Sequence, residues 1–209
     1  MRFKAIIIVR MGHFQQAGSP TAGSVRLFAD LATQFSSPDV LVLLQAWNDD
    51  PVASAELIRQ LTACRKDPIV VLIGYSHGAG YGVVRIAQAL QHRGIRTKAA
   101  VLADPVYYGR LAPWRALIPR TLFQRIAIPV PSYVDEVHWL RQYRSIPRGH
   151  DLACEPGTVL HEPVILDCKH TQIDERPEFH SMALRVVYDA VEPIRGRGPH
   201  LLPFPLEGA

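Results

Sequence analysis

The chain has 209 residues, 48% hydrophobic and 20% charged, a balance that suits a soluble globular chain with one well-filled core and excludes a disordered one. Its formal charge is +4 and its pI about 9.1, yet the basic residues are scattered among acids, without the stripe or aromatic platform that holds nucleic acid. The N-terminal apolar run, Ala5 to Val9, is only five residues long before Arg10, so no membrane span or secretion signal is expected. The expected location is the cytoplasm; a secreted mature form would read the same way.

Three cysteines, Cys64, Cys154 and Cys168, include no C-x-x-C pair. A bridge between Cys154 and Cys168 can be drawn, but reduced structural thiols are the better expectation.

Taken in chain order, residues 4 to 9 read as a strand buried on both faces, being apolar without alternation. A glycine-rich loop from Met11 to Gly23 follows, and Val25, Phe28, Ala32 and Phe35 then recur at helical spacing. His13 in that loop reads as a residue making local contacts rather than a ligand. Val40 to Gln45 is a second strand. Asp49 and Asp50 stand before Pro51, where a helix begins with Leu57, Ile58, Leu61 and Cys64 on its inner face. The two carboxylates read as a helix-terminal acidic cap rather than metal ligands, because the helix dipole favours anions there.

The sequence Val70 to Gly80, VVLIGYSHGAG, then brings an apolar run into G-x-S-x-G and leaves it through an amphipathic segment. This is a strand, a sharp turn and a helix. Gly74 and Gly78 lack the Cβ that would crowd so tight a turn, which lifts Ser76 above the sheet edge. The backbone N–H of His77 falls at a helix start, where unpaired donors favour a developing negative charge. Ser76 is therefore the candidate nucleophile and His77 N–H one oxyanion donor.

Val83, Ile86, Ala87 and Leu90 carry the following helix to Gly94, and Ala99 to Ala103 form a strand that ends in Asp104-Pro105-Val106. A carboxylate at a strand's C-terminal tip stands where ligands gather in open α/β sheets. From Tyr107 to about Gly157 the alternation breaks down. Aromatics at 107, 108, 114, 123, 133, 139 and 143 lie among prolines, and Val134, Val137 and Leu140 read as one short helix. Residues 105–157 are expected to wall a pocket, act as a partial lid, or simply cover a sheet edge.

A last strand, roughly Pro163 to Cys168, runs into Lys169-His170-Thr171-Gln172, and Arg176-Pro177 opens a final helix with Phe179, Ala183 and Ala190 inward. His170 thus stands on a loop from which a general base can reach the serine, while His180 reads as structural. Residues 1–192 are expected to form one domain and 193–209 a loosely attached tail.

Ser76, Asp104 and His170 follow in nucleophile, acid, base order. The histidine would take the serine proton and later give it to the leaving group, and the acid would hold the imidazole tautomer. Asp167, Asp174, Asp135 and Glu136 are competing acids; Asp167 reads as part of a strand and Asp174 as a cap for the last helix. No histidine and carboxylate set has metal-ligand spacing such as H-x-x-x-H, so no metal is expected.

The segments Ile73 to Gly80, Leu102 to Val106, and His170-Thr171-Gln172-Ile173-Asp174 with Pro177 and His180 resemble the α/β-hydrolase superfamily. The nearest likeness is to its compact lipase, cutinase and thioesterase-like members and to small bacterial and phage-type proteins of the same layout. The resemblance implies a three-layer α/β/α sandwich of about five mainly parallel strands without a large cap. It also implies the triad Ser76, Asp104 and His170, no cofactor, and a small-molecule or lipid-like ester as substrate. By the same likeness the second oxyanion N–H belongs to Met11 or Gly12, where Met11-Gly12-His13 replaces the usual H-G-G-G type loop. Many members carry the acid one strand later. Thioester hydrolysis or acyl transfer would use the same groups. A binding protein without turnover would be favoured if His170 pointed away from Ser76 or an aromatic plugged the pocket.

Overall fold

Runs of apolar and β-branched residues pair side by side into one parallel sheet in the computed structural model, which describes residues 3–13, 15–19, 22–62, 65, 67–107 and 127–195. The order along the chain is β1 (Ala5–Arg10), α1 (Gly23–Phe35), β2 (Val40–Gln45), α2 (Pro51–Thr62), β3 (Ile69–Tyr75) and a π-helical turn (Gly78–Val83) leading into α3 (Val84–Gln91). There follow β4 (Thr97–Ala103), β5 (Ile128–Val130), β6 (Val134–Gln142), β7 (Leu152–Cys154), β8 (Val159–Leu160), β9 (Val164–Leu166), a 3-10 turn (His170–Glu175) and α4 (Pro177–Arg195).

The sheet runs β2-β1-β3-β4-β6, with β8 and β9 both on the outer edge of β6, and every pairing in it is parallel. Five strands thus carry the sheet and two short ones close its edge. A separate ribbon pairs β5 with β7. Helices cover both faces. Ile7, Val9, Val71, Ile73 and Val101 pack with Leu27 and Leu31 of α1 and with Phe179, Ala183 and Val187 of α4. Ile6, Ile8, Val70, Leu72 and Leu102 pack with Ile58 of α2 and with Ile86 and Leu90 of α3. This is a three-layer α/β/α arrangement, and it explains why β1 and β3 show no polar alternation: neither face meets water.

Several expectations are corrected. Val134, Val137 and Leu140 belong to the nine-residue strand β6, not to a helix. A strand covered on both faces places apolar side chains without a period of two, and here a spacing of three imitates helical periodicity. The expected last strand shrinks to the three residues of β9, with Val164 and Ile165 exposed. The inner line of α1 is Leu27, Leu31 and Phe35, with Phe28 and Ala32 flanking it. On α2 it is Ser54, Ala55, Ile58 and Thr62, leaving Leu57 41% exposed. Asp174 does not cap the last helix: its carboxylate accepts from the Ser24 N–H (3.2 Å) at the start of α1. Asp167 lies past the end of β9 and is exposed, paired with Arg144 at 3.0 Å. Asp50 does cap α2, accepting from the Val52 N–H at 2.8 Å.

Within residues 105–157, Tyr108, Trp114, Leu117, Ile118, Phe123 and Ile126 lie outside the described residues. So does Cys64, and so does the tail beyond Arg195; α4 itself continues through Pro193. Cys154 and Cys168 are separate free thiols. No helix among the described residues is long and apolar enough to cross a membrane.

Gly78 opens the π-helical turn where it crosses the end of β1. A Cβ there would overlap the backbone carbonyls of Met11 and Arg10, neither of which is the end of a flexible side chain. Gly78→Ala is expected to lower the stability by about 1–3 kcal/mol, the usual cost of overpacking. Urea unfolding checks this, and an unchanged midpoint would mean that the turn and β1 can separate freely.

Candidate active site

β3 is apolar to its last turn and delivers Ser76 one residue beyond its end, at the C-terminal edge of the sheet. Ser76 has φ of 55°, in the left-handed region that non-glycine residues rarely occupy. Four hydrogen bonds hold it there. Its N–H donates to the Ala103 carbonyl (2.9 Å), and its own carbonyl accepts from the N–H groups of Ala79 (3.1 Å), Gly80 (2.9 Å) and Val106 (3.0 Å). The neighbouring strand ends in the same way, because Asp104 has φ of 42° and its N–H donates to the Leu140 carbonyl at 2.8 Å.

These two turns and the 3-10 turn bring the three sequence candidates together. His170 Nε2 is 2.8 Å from Ser76 Oγ, and His170 Nδ1 is 2.6 Å from Asp104 Oδ2. Asp104 is 0% exposed, His170 5% and Ser76 6%, so this chain of contacts is shielded from bulk water, where each polar contact counts for more. The imidazole is fixed from several sides. His170 N–H donates to Ser145 Oγ (2.7 Å), its carbonyl accepts from the Tyr75 hydroxyl (2.9 Å), and its ring lies 5.3 Å from the Tyr75 ring.

A carboxylate buried this completely needs donors. Oδ1 of Asp104 accepts from the Gly149 N–H (2.9 Å) and more weakly from the Gln142 N–H (3.4 Å), while Oδ2 accepts from Gln142 Nε2 at 2.9 Å. Gln142 is itself fully buried and its Nε2 also donates to the carbonyls of Ser145 (3.0 Å) and Pro147 (2.9 Å). The sequence reading missed Gln142, Gly149 and Ser145. Only Gln142 had a visible signal: a polar residue closing an apolar run, hidden once that run was read as helix. The competing acids stand elsewhere. Asp135 pairs with Arg96 (2.6 Å), Glu136 faces His138 and His161, and Asp174 accepts from Gln15 Nε2 (2.6 Å).

His77 follows the serine and enters the π-helical turn. Of the two further amides expected beside it, Met11 N–H is committed to the Gln45 carbonyl at 3.0 Å, extending the ladder of β1 and β2. The Gly12 N–H donates to Gln15 Oε1 at 2.9 Å. That partner is a side chain able to turn aside; the Gln45 carbonyl is not.

A wall of aromatic rings gathers around His77, the residue after the serine. The His77 ring stacks on Tyr81 (5.0 Å, 5° between planes), Tyr81 lies 5.9 Å from Tyr107, and His13 lies 4.0 Å from Trp47. His13, read as a loop residue making local contacts, packs on Trp47. Trp47 and Tyr81 were not expected here, since the sequence reading drew its aromatics from residues 107–143. Of those, Trp139 instead donates its indole N–H to the His161 carbonyl (2.8 Å), and Tyr133 faces Arg96. Beneath the wall, the buried Arg10 guanidinium donates to Gln45 Oε1 (3.1 Å) and to the carbonyls of Trp47 (3.3 Å) and Asp49. Burial, with smaller contributions from His13 and Arg10, pushes the His77 imidazole down to about 4. It is therefore neutral at pH 7.

No protein-family model matches the chain and no curated protein sequence matches it. Solved structures that the chain is similar to include two of low identity. One is a "Putative hydrolase" from Agrobacterium vitis S4, 16% identical with a TM-score of 0.49, the match covering 90% of this chain and 88% of that one. The other is the Vlm2 thioesterase domain, solved with a bound dodecadepsipeptide, 12% identical with a TM-score of 0.44 and covering 89% and 93%.

The His77 shift has a definite sign. The unfolded chain titrates this imidazole near 6.5 and the folded chain near 4, so its contribution to stability is complete above about pH 6.5 and is lost as pH falls toward 4. Unfolding midpoints measured across that window should fall more steeply for wild type than for His77→Gln. Parallel curves would show that the imidazole is not held neutral by the fold.

Proposed function

We propose that the chain is an α/β-hydrolase-type serine hydrolase that cleaves a carboxylic ester through an acyl-enzyme. The observation that carries this reading is the unbroken run from Ser76 Oγ to His170 Nε2 (2.8 Å) and from His170 Nδ1 to Asp104 Oδ2 (2.6 Å). A serine hydroxyl is a weak nucleophile at neutral pH. With Nδ1–H directed to Asp104, the Nε2 lone pair faces the hydroxyl and takes its proton as Oγ attacks the carbonyl carbon. Asp104 keeps the tautomer and stabilises the imidazolium, which then protonates the departing alcohol; water repeats the steps on the acyl-enzyme.

The oxyanion of the tetrahedral intermediate would be received by the N–H of His77 and, once Gln15 turns aside, that of Gly12, each worth roughly 3 kcal/mol of barrier. Met11, equally placed by sequence, is the weaker choice because its N–H is already used. His77, Tyr81, Tyr107 and Trp47 offer an apolar, aromatic surface to the acyl or aryl part of a small or lipid-like ester. The orientation of His170 toward Ser76 counts against the binding-protein reading. The free thiols of Cys154 and Cys168 accord with the cytoplasmic location kept in this proposal.

A fluorophosphonate probe should label wild type and neither Ser76→Ala nor His170→Ala. With a p-nitrophenyl ester, each of these substitutions should lower kcat by at least ~10⁴-fold. A folded wild type that the probe leaves untouched would defeat the proposal.

Gln142→Leu keeps the side-chain volume but removes the amide donor from the Asp104 carboxylate. A hydrogen bond to a charged group is worth about 1.5–3 kcal/mol, so kcat should fall roughly 10–150-fold with KM little changed. Loss confined to KM would mean that Gln142 serves binding rather than the acid.

A further inference from the structure

Glu136 and His138 lie two residues apart on β6 and so share one face of the sheet. His161, the residue after β8, comes up against them. Glu136 Oε2 is 3.2 Å from His138 Nε2 and 3.2 Å from His161 Nε2, and the two imidazoles stack 3.9 Å apart at 14°. The three ligand atoms all fall within 4.8 Å of one another. A helical reading of residues 134–140 turns Glu136 and His138 about 200° apart, which is why the grouping is invisible in the sequence.

His161 is not placed there by a loose loop. Its N–H donates to the Val137 carbonyl (3.0 Å) and its carbonyl accepts from the Trp139 indole N–H (2.8 Å), so its backbone is pinned on both sides to the strand that bears the other two residues. Three donors of zinc-binding type are thus held on one rigid support. A tetrahedral ion with bonds of about 2.0–2.2 Å to nitrogen and oxygen needs its ligand atoms about 3.3–3.6 Å apart. The two distances from Glu136 Oε2 are 3.2 Å, and the stacked rings must turn out of their near-parallel planes for both Nε2 lone pairs to meet one ion. On the same face β4 sets Ala99 beside Glu136 and Val101 beside His138, so no bulky side chain of that strand intrudes. Arg185 on α4 is a positive neighbour of His138, but it is exposed and on a long stem that can move outward.

We propose that Glu136, His138 and His161 form a binding site for a divalent transition ion of the zinc class, with water in the fourth position. The site stands four to six residues back along β6 from Gln142, or about 13–20 Å at ~3.3 Å per residue, and does not reach the serine. Its role is structural: the ion fastens the chain after β8 to β6 and closes the sheet edge.

The full-length protein, freed of metal by dialysis against a chelator that is then removed, can be titrated with zinc against a chromophoric zinc indicator. One equivalent should bind in wild type. His161→Ala and Glu136→Gln, both at partly exposed positions, should weaken binding by at least ~100-fold while circular dichroism stays unchanged. Zinc at about 100 times its Kd should raise the unfolding temperature of wild type by roughly 5–10 °C. Cobalt decides the matter without any variant, because tetrahedral coordination gives intense visible bands. Weak octahedral absorption alone, no zinc binding at micromolar concentrations, or binding that both variants retain would each overturn the proposal.

Discussion

The C-terminal rim of the sheet depends on how a carboxylate is kept wholly away from water. Asp104 is 0% exposed, and its two oxygens meet groups from three separate parts of the chain: the amide and side chain of Gln142 at the end of β6, the N–H of Gly149 in the following loop, and His170. Leaving such a group unpaired would cost several kcal/mol. Its burial therefore holds those segments in register as effectively as apolar packing does. The loop after β6 closes over the acid because the acid is there to bind it, and His170 is then confined between that loop and Tyr75.

Much of this was legible in the sequence. The strand, turn and helix around Ser76 follow from an apolar run meeting glycines at fixed spacing, and Asp104 and His170 could be singled out because each stands just past a predicted strand. What could not be read was the support beneath them. Gln15, Ser145 and Gly149 are loop residues whose partners lie far along the chain, and no periodicity marks them. The amide of Met11 looked as available as that of Gly12 until the pairing of β1 with β2 showed where it was spent.

The error at β6 is the most instructive. Val134, Val137 and Leu140 recur every three residues, a pattern that a helix explains well and a strand covered on both faces explains equally well. Taking the helix concealed two things together. Gln142 ceased to be a strand-tip residue beside Asp104, and Glu136 and His138 ceased to share a face. One mistaken period hid both the brace of the acid and a cluster that stands well away from the serine.

The parallel register also has a consequence for how this chain can change. Each long strand ends in a polar residue or passes directly into one: Arg10 and Gln45 on β1 and β2, Ser76 after β3, Asp104 after β4, Gln142 on β6. Because parallel strands all finish on the same side, these residues form a belt along one rim, while the inner strands β1 and β3 stay apolar below it. Drift in those strands is limited by volume; drift in the belt is limited by partners, since Arg10 is matched to Gln45 and Gln142 to Asp104. The two populations of positions are nearly independent, so the belt and its loops can change while the packing that keeps the chain folded is left intact.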